Sequence, residues 1–104
     1  MSDNTAKKPA RKPDPMTRII NDVKTAIKDL GEYEAKPVND ARRSGHDRRA
    51  EAWAKEWART STQDSLVLAT AFEALACYPH EQRDALISLA AIALNEVVKL
   101  DGAK

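Results

Sequence analysis

The sequence predicts an all-α protein, a small bundle of about four helices, and three observations carry that expectation. Apolar residues recur at intervals of three and four rather than alternating. Hydrophobic residues make up 42% of the chain but aromatics only 5%, so Ala and Leu supply most of the apolar content. Glycine is scarce, and no run of β-branched residues alternates with polar ones, which leaves little from which to build strands. At 104 residues the chain allows one domain, expected over residues 14–104 behind an arm of residues 1–13. So short a chain buries a modest core and gains margin from tight helix packing or from association.

The arm carries Lys7, Lys8, Arg11 and Lys12, with Pro9 and Pro13 and no large apolar side chain after Met1. It is expected to stay disordered, because nothing in it offsets the entropy of ordering. No apolar stretch follows its basic residues, so no cleaved leader is expected.

The first helix is predicted over about Pro15 to Leu30. Asp14 suits the N-cap, Pro15 the first helical position and Gly31 the residue past the end. Met16, Ile19, Ile20, Val23, Ala26, Ile27 and Leu30 share one face. Pro37 forces a connection over Glu32 to Val38. The second helix starts either near Asn39 or at Asp47; Ala50, Trp53, Ala54, Trp57 and Ala58 form one face, and Glu51 and Lys55 are spaced as an ion pair.

Ser61-Thr62-Gln63-Asp64 reads as a capping arrangement, with Ser61 the cap and Asp64 the reciprocal acceptor. The third helix then runs to about Cys77 or Tyr78, with Val67, Leu68, Ala71, Phe72, Ala74, Leu75 and Tyr78 on one broad side. Pro79 breaks the chain and opens the fourth helix, which lasts to about Leu100 with Gly102 beyond it. The third and fourth helices are expected to form an antiparallel hairpin that supplies most of the core.

The apolar residues of the fourth helix span an arc of about 200°, roughly twice the minimum for a surface helix. Ile92 falls outside that arc, among Ser88, Asn95 and Lys99. Such a helix needs neighbours on two sides. A homodimer is therefore expected, with Leu86, Leu89, Ile92, Val97 and Leu100 at its interface.

Net charge is +1, but residues 1–49 hold twelve Lys and Arg against eight Asp and Glu, and residues 50–104 hold five against eight. Arg42, Arg43, Arg48 and Arg49 are the densest local charge. Their forked donors fit phosphate oxygens, and four of them near a helix start oppose its dipole. Ser44 and Gly45 give freedom to bring both Arg pairs to one surface, whereas Asp40 and Asp47 weaken the field. Trp53 and Trp57, one turn apart, are either an exposed anchor for a partner or part of the core; with so few aromatics in the chain, core duty is the expectation.

Chemistry finds little footing. The single Cys77 excludes an internal disulfide and points to a reducing compartment, the cytoplasm. Cys77-x-x-His80 has ligand-like spacing, but a structural zinc site needs four ligands and His46 is the only other histidine. His46-Asp47 lacks the further His and Asp that a phosphohydrolase metal site requires. No nucleophile–base arrangement or phosphate-binding glycine loop is suggested. The longest apolar run, Leu89 to Leu94, is far too short to span a bilayer.

The expectation is a non-enzymatic regulatory or inhibitory protein, without metal or cofactor, of phage or mobile-element origin. It would bind a protein partner of unknown identity through Trp53 and Trp57, if these are exposed, with Arg42, Arg43, Arg48 and Arg49 steering by charge. The alternative is a dimeric nucleic-acid-binding accessory protein, with Lys7, Lys8, Arg11, Lys12 and the same four arginines on phosphates. A self-assembling structural component is a third possibility.

Overall fold

The computed structural model describes residues 14–103; the basic arm expected over residues 1–13 lies outside the described residues. Among them the chain forms four helices and no strand: α1 (Pro15–Leu30), α2 (Asp40–Thr60), α3 (Gln63–Ala76) and α4 (Pro79–Gly102). The chain divides into two compact units, Met1–Gly31 with α1 and Glu32–Lys104 with α2, α3 and α4.

In the first unit α1 has the predicted bounds. Pro15 opens it, and Asp14 contributes its carbonyl, which accepts from the Arg18 N–H at 3.2 Å, without a side-chain cap. Gly31 ends the helix at φ 68°, a left-handed backbone that favours glycine, and its N–H donates to the Lys28 carbonyl. Ile19 is buried, while Ile20, Val23, Ile27 and Leu30 of the same stripe stay exposed.

In the second unit α2 is one unbroken helix from Asp40, so the earlier of the two expected starts holds. Asn39 caps it, its side-chain oxygen accepting from the Arg42 N–H at 2.9 Å. Ser44 and Gly45 are therefore helical and supply no hinge, contrary to expectation. Glu51 and Lys55 form no ion pair; Arg59 instead pairs with Glu56 at 2.7 Å.

The expected Ser61 cap is displaced by one residue. Ser61 is consumed in ending α2: it takes a left-handed backbone (φ 53°) and donates its N–H to the Trp57 carbonyl at 2.9 Å. Thr62 then precedes α3, and its hydroxyl meets the Ser65 hydroxyl at 2.8 Å. Ser65 Oγ also donates to the Thr62 carbonyl at 2.7 Å, so a polar side chain with no exposed surface is fully partnered.

The centre of this unit is α3, packed on α2 along one side and on α4 along another, both antiparallel. Arg43 near the start of α2 reaches Cys77 past the end of α3, and His46 stacks on Phe72 at 5.8 Å. Gln63 at the start of α3 donates to Glu96 late in α4 at 2.9 Å, and Gln82 early in α4 donates to the Ala74 carbonyl at 3.1 Å. The expected α3–α4 hairpin is present, but α3 packs more extensively on α2, so the hairpin does not supply most of the core. The physical reason is size: Ser65 and Ala74, the buried residues of α3, are small enough for close helix approach on two sides.

One partly buried cation ties the second unit together. The Arg43 side chain is 12% exposed and pairs with Asp40. Its guanidinium also donates to the Val38 and Cys77 carbonyls at 3.2 and 3.4 Å and lies 5.0 Å from the Tyr78 ring centroid. A carbonyl at a helix C-terminus is a favourable place for a guanidinium, and the Tyr78 face adds a cation–π attraction. Replacing Arg43 with Ala should lower unfolding free energy in urea by about 2 kcal/mol, because it strands these acceptors. Arg42→Ala should change it by less than about 0.5 kcal/mol; equal effects would contradict the assignment.

A second tie joins α3 to α4. Glu96 accepts from Gln63 and lies 2.9 Å from the Lys99 ammonium. The Gln63 hydrogen bond, then the bond and charge of Lys99, hold its carboxyl below the usual range near 4.5. A lowered carboxyl stabilises the fold above that range, and the contribution is lost as pH falls through the lowered value. The stability gap between wild type and Glu96→Gln should thus be fully present above the ordinary carboxylate range and shrink as pH falls through the lowered value. A gap independent of pH would contradict the tie.

Candidate functional site

Two surfaces of the second unit combine exposure with order, one apolar on α4 and one basic on α2.

The α4 surface follows from how the helix is turned. Gln82 and Glu96 both bond to α3, so the line through Gln82, Ala85, Leu89, Ile92 and Glu96, at spacings of three and four, faces α3. Ile92, placed by sequence outside the apolar arc, is half-buried on that line. The reason is that α3 presents polar as well as apolar partners, so the contact edge of α4 is not the centre of its apolar arc. Much of the arc is left outside: Leu86 is 46% exposed, Ile87 50%, Val97 38% and Leu100 62%. With the exposed Ala90 and Ala93, Leu86, Val97 and Leu100 repeat at four, three, four and three residues, the spacing of a helix-pairing seam. Of the residues expected at a dimer interface, Leu86, Val97 and Leu100 lie on this open stripe, while Leu89 and Ile92 lie on the α3 side.

The α2 surface arises because the arginine cluster divides. Arg43 is occupied within the fold, and Asp40 and Asp47 line a depression with it and Tyr78. Arg42, Arg48 and Arg49 line a different groove, with Ala41, Gly45, His46 and Phe72. The two acidic residues expected to weaken the cluster therefore sit beside the arginine that does not need an outside anion. At the centre of the second groove Gly45 leaves a notch. A Cβ there would lie 3.2 Å from Arg49 Nη1 and 3.9 Å from Arg48 Nη2, so two guanidinium groups converge over one missing side chain. Arg49 also lies 5.8 Å from the Phe72 ring centroid, and its Nη1 is 3.5 Å from His46 Nδ1. Among the described residues Arg42, Arg48 and Arg49 have no carboxylate partner. His46 and Phe72 were not singled out by sequence as parts of a basic site, and Gly45 was expected there as a point of freedom between the Arg pairs rather than as groove lining. An isolated glycine within a helical stretch was the available signal.

Trp53 is half-buried and Trp57 is 36% exposed. Both lie on the line Arg43, His46, Ala50, Trp53, Trp57 and Thr60, whose first members contact α3 and its end. The rings are partly covered and partly open, between the two roles considered for them. The arm residues Lys7, Lys8, Arg11 and Lys12 lie outside the described residues.

Around the turn between α3 and α4, His80 stacks on Tyr78 at 6.3 Å, and Cys77 shares a depression with Glu73, His80, Glu81 and Asp84. Among the described residues no group of three or more His, Cys, Asp or Glu is placed to hold a metal, and no helix is long and apolar enough to cross a membrane. Partial burial, then the charges of Glu81 and Glu73, push the Cys77 thiol above its ordinary value. Less thiolate at neutral pH means slow alkylation. Iodoacetamide should modify Cys77 more slowly than it modifies the urea-unfolded chain at about pH 7.5, and Glu81→Gln should speed the reaction; a native thiol faster than the unfolded one would contradict this.

Comparison of the chain with protein-family models, with curated proteins and with solved structures finds no significant match.

Proposed function

We propose that this is a small, non-enzymatic regulatory protein of the cytoplasm that works through protein–protein binding by a helical surface, and that the open face of α4 takes a second copy of the chain. The seam through Leu86, Ala90, Ala93, Val97 and Leu100 carries this reading. Its members are large at the two ends and small in the middle. An antiparallel two-fold pairing about Ala93 sets Leu86 of one copy against Leu100 of the other, and Ala90 against Val97. The same patch then serves both subunits, as a two-fold interface requires. No charged side chain stands in the seam.

Length bounds the surface that the pairing can bury. At 1.5 Å per residue α4 is about 36 Å long and the seam about 21 Å. That is about two heptads, near the lower end of specific interfaces, which calls for micromolar rather than nanomolar association. A regulator that exchanges between free and paired forms suits such an affinity. Trp57 and the exposed alanines of α2 remain outside this seam, available to a larger protein.

Light scattering during size exclusion tests the reading. At about 100 μM the wild-type chain should approach twice its 11.5 kDa mass and fall toward it on dilution. Ala93→Glu, which would set two carboxylates against each other at the two-fold axis, should stay monomeric with unchanged helical circular dichroism. A wild-type monomer at that concentration, or an Ala93→Glu chain that dimerises equally well, would overturn the proposal.

A further inference from the structure

We infer that the notch over Gly45 is a binding site for the phosphodiester backbone of nucleic acid, built by Arg42, Arg48 and Arg49. The inference goes beyond the self-association of α4 and does not depend on it.

Three observations on α2 meet at this point. The first is convergence: the guanidinium groups of Arg48 and Arg49 both reach within 4 Å of the place where a Gly45 side chain would begin. Like charges drawn together repel unless an anion sits between or beside them. The second is partnering. Arg43 and Arg59 on the same helix each hold a carboxylate, whereas Arg42, Arg48 and Arg49 hold none among the described residues. Their donors are therefore available, and a guanidinium can engage two phosphate oxygens at once. The third is position. Arg42, on the rim of the groove, lies in the first turn of α2, where a cation opposes the helix dipole and an added anion is favoured. The Phe72 ring and His46 Nδ1 take up part of the Arg49 guanidinium, but no carboxylate among the described residues pairs with these arginines, and a bound phosphate would supply the missing charge.

The form of the groove selects the ligand. It is open and shallow, and its floor is Gly45 with the stacked His46 and Phe72 rings. Arg49 lies over Phe72, so that ring is covered and offers no platform on which a base can stack. The polar side chains that line the groove are the three arginines and His46, and such an open row of cations contacts phosphate oxygens, which carry no sequence information. A small phosphate ester would find no enclosure there. A repeating phosphate chain needs none, because it passes along an exposed row of cations. Binding is then independent of sequence and strongly dependent on salt.

The test uses the full chain and fluorescence anisotropy with labelled 20-nucleotide single-stranded and duplex DNA. Binding at low salt should weaken as salt rises. For single strands the slope of log affinity against log salt should be about −2, from roughly −0.7 per phosphate engaged by three arginines. The double variant Arg48→Ala with Arg49→Ala should lose at least about tenfold in affinity and flatten that slope by more than about 1. Gly45→Glu, which would place a carboxylate between the two guanidinium groups and is compatible with a helix, should lose binding while keeping its circular dichroism and melting temperature. Arg59→Ala, which removes a cation already paired with Glu56, should bind as wild type does. The inference is overturned if the wild-type chain does not bind either DNA at low salt, or if the notch variants bind undiminished. It is also overturned if Arg59→Ala loses as much as they do, or if a polyglutamate peptide of equal charge binds more tightly than DNA.

Discussion

The second unit depends on α3 being narrow enough to serve two neighbours. Its buried residues are Ser65 and Ala74, and such small side chains let α2 and α4 approach from different sides. The arrangement leaves α3 half-buried nearly all round and leaves much of the apolar arc of α4 exposed. A larger residue at either position would push one neighbour away. The open stripe on α4 and the groove on α2 both follow from this geometry, because each outer helix spends one face on α3 and has another to spare.

Polar ties compensate for the modest apolar burial. Arg43 closes the α2 start against the α3 end, and Gln63 with Glu96 closes the α3 start against late α4. These ties also sort the charges. By holding Arg43 beside Asp40, the fold keeps those two out of the groove and leaves Arg42, Arg48 and Arg49 without a carboxylate partner among the described residues. A cluster that is mixed in sequence is separated into two distinct surfaces in space.

Much of this was legible in the residues. The all-helical class, the bounds of α1, the break at Pro79 and the excess apolar surface of α4 all follow from periodicity and from Pro and Gly placement. What was not legible has a common cause, the rotation of each helix about its own axis. Ile92 was assigned outward because the apolar arc was taken as the contact face, yet Gln82 and Glu96 turn α4 so that Ile92 faces α3. Arg43 looked equivalent to Arg42, and one residue of helical rotation makes the first a structural tie and the second a free donor. Ser61 has the chemistry of an N-cap, but the preceding helix needed a left-handed residue to end, and only the local backbone decides between those uses. Gly45 carried the least side-chain information of any residue and marks the centre of the basic groove.

Native-state hydrogen exchange tests the central role of α3 most directly. The account predicts that the amides from Leu66 to Leu75 are the slowest of the chain, close to the limit of global unfolding. It also predicts that amides around Leu86 to Leu100 slow further as protein concentration rises, while those of α3 hold steady. If α3 exchanges as quickly as the two helices beside it, it is not the element on which they depend, and the account of both open surfaces fails with it.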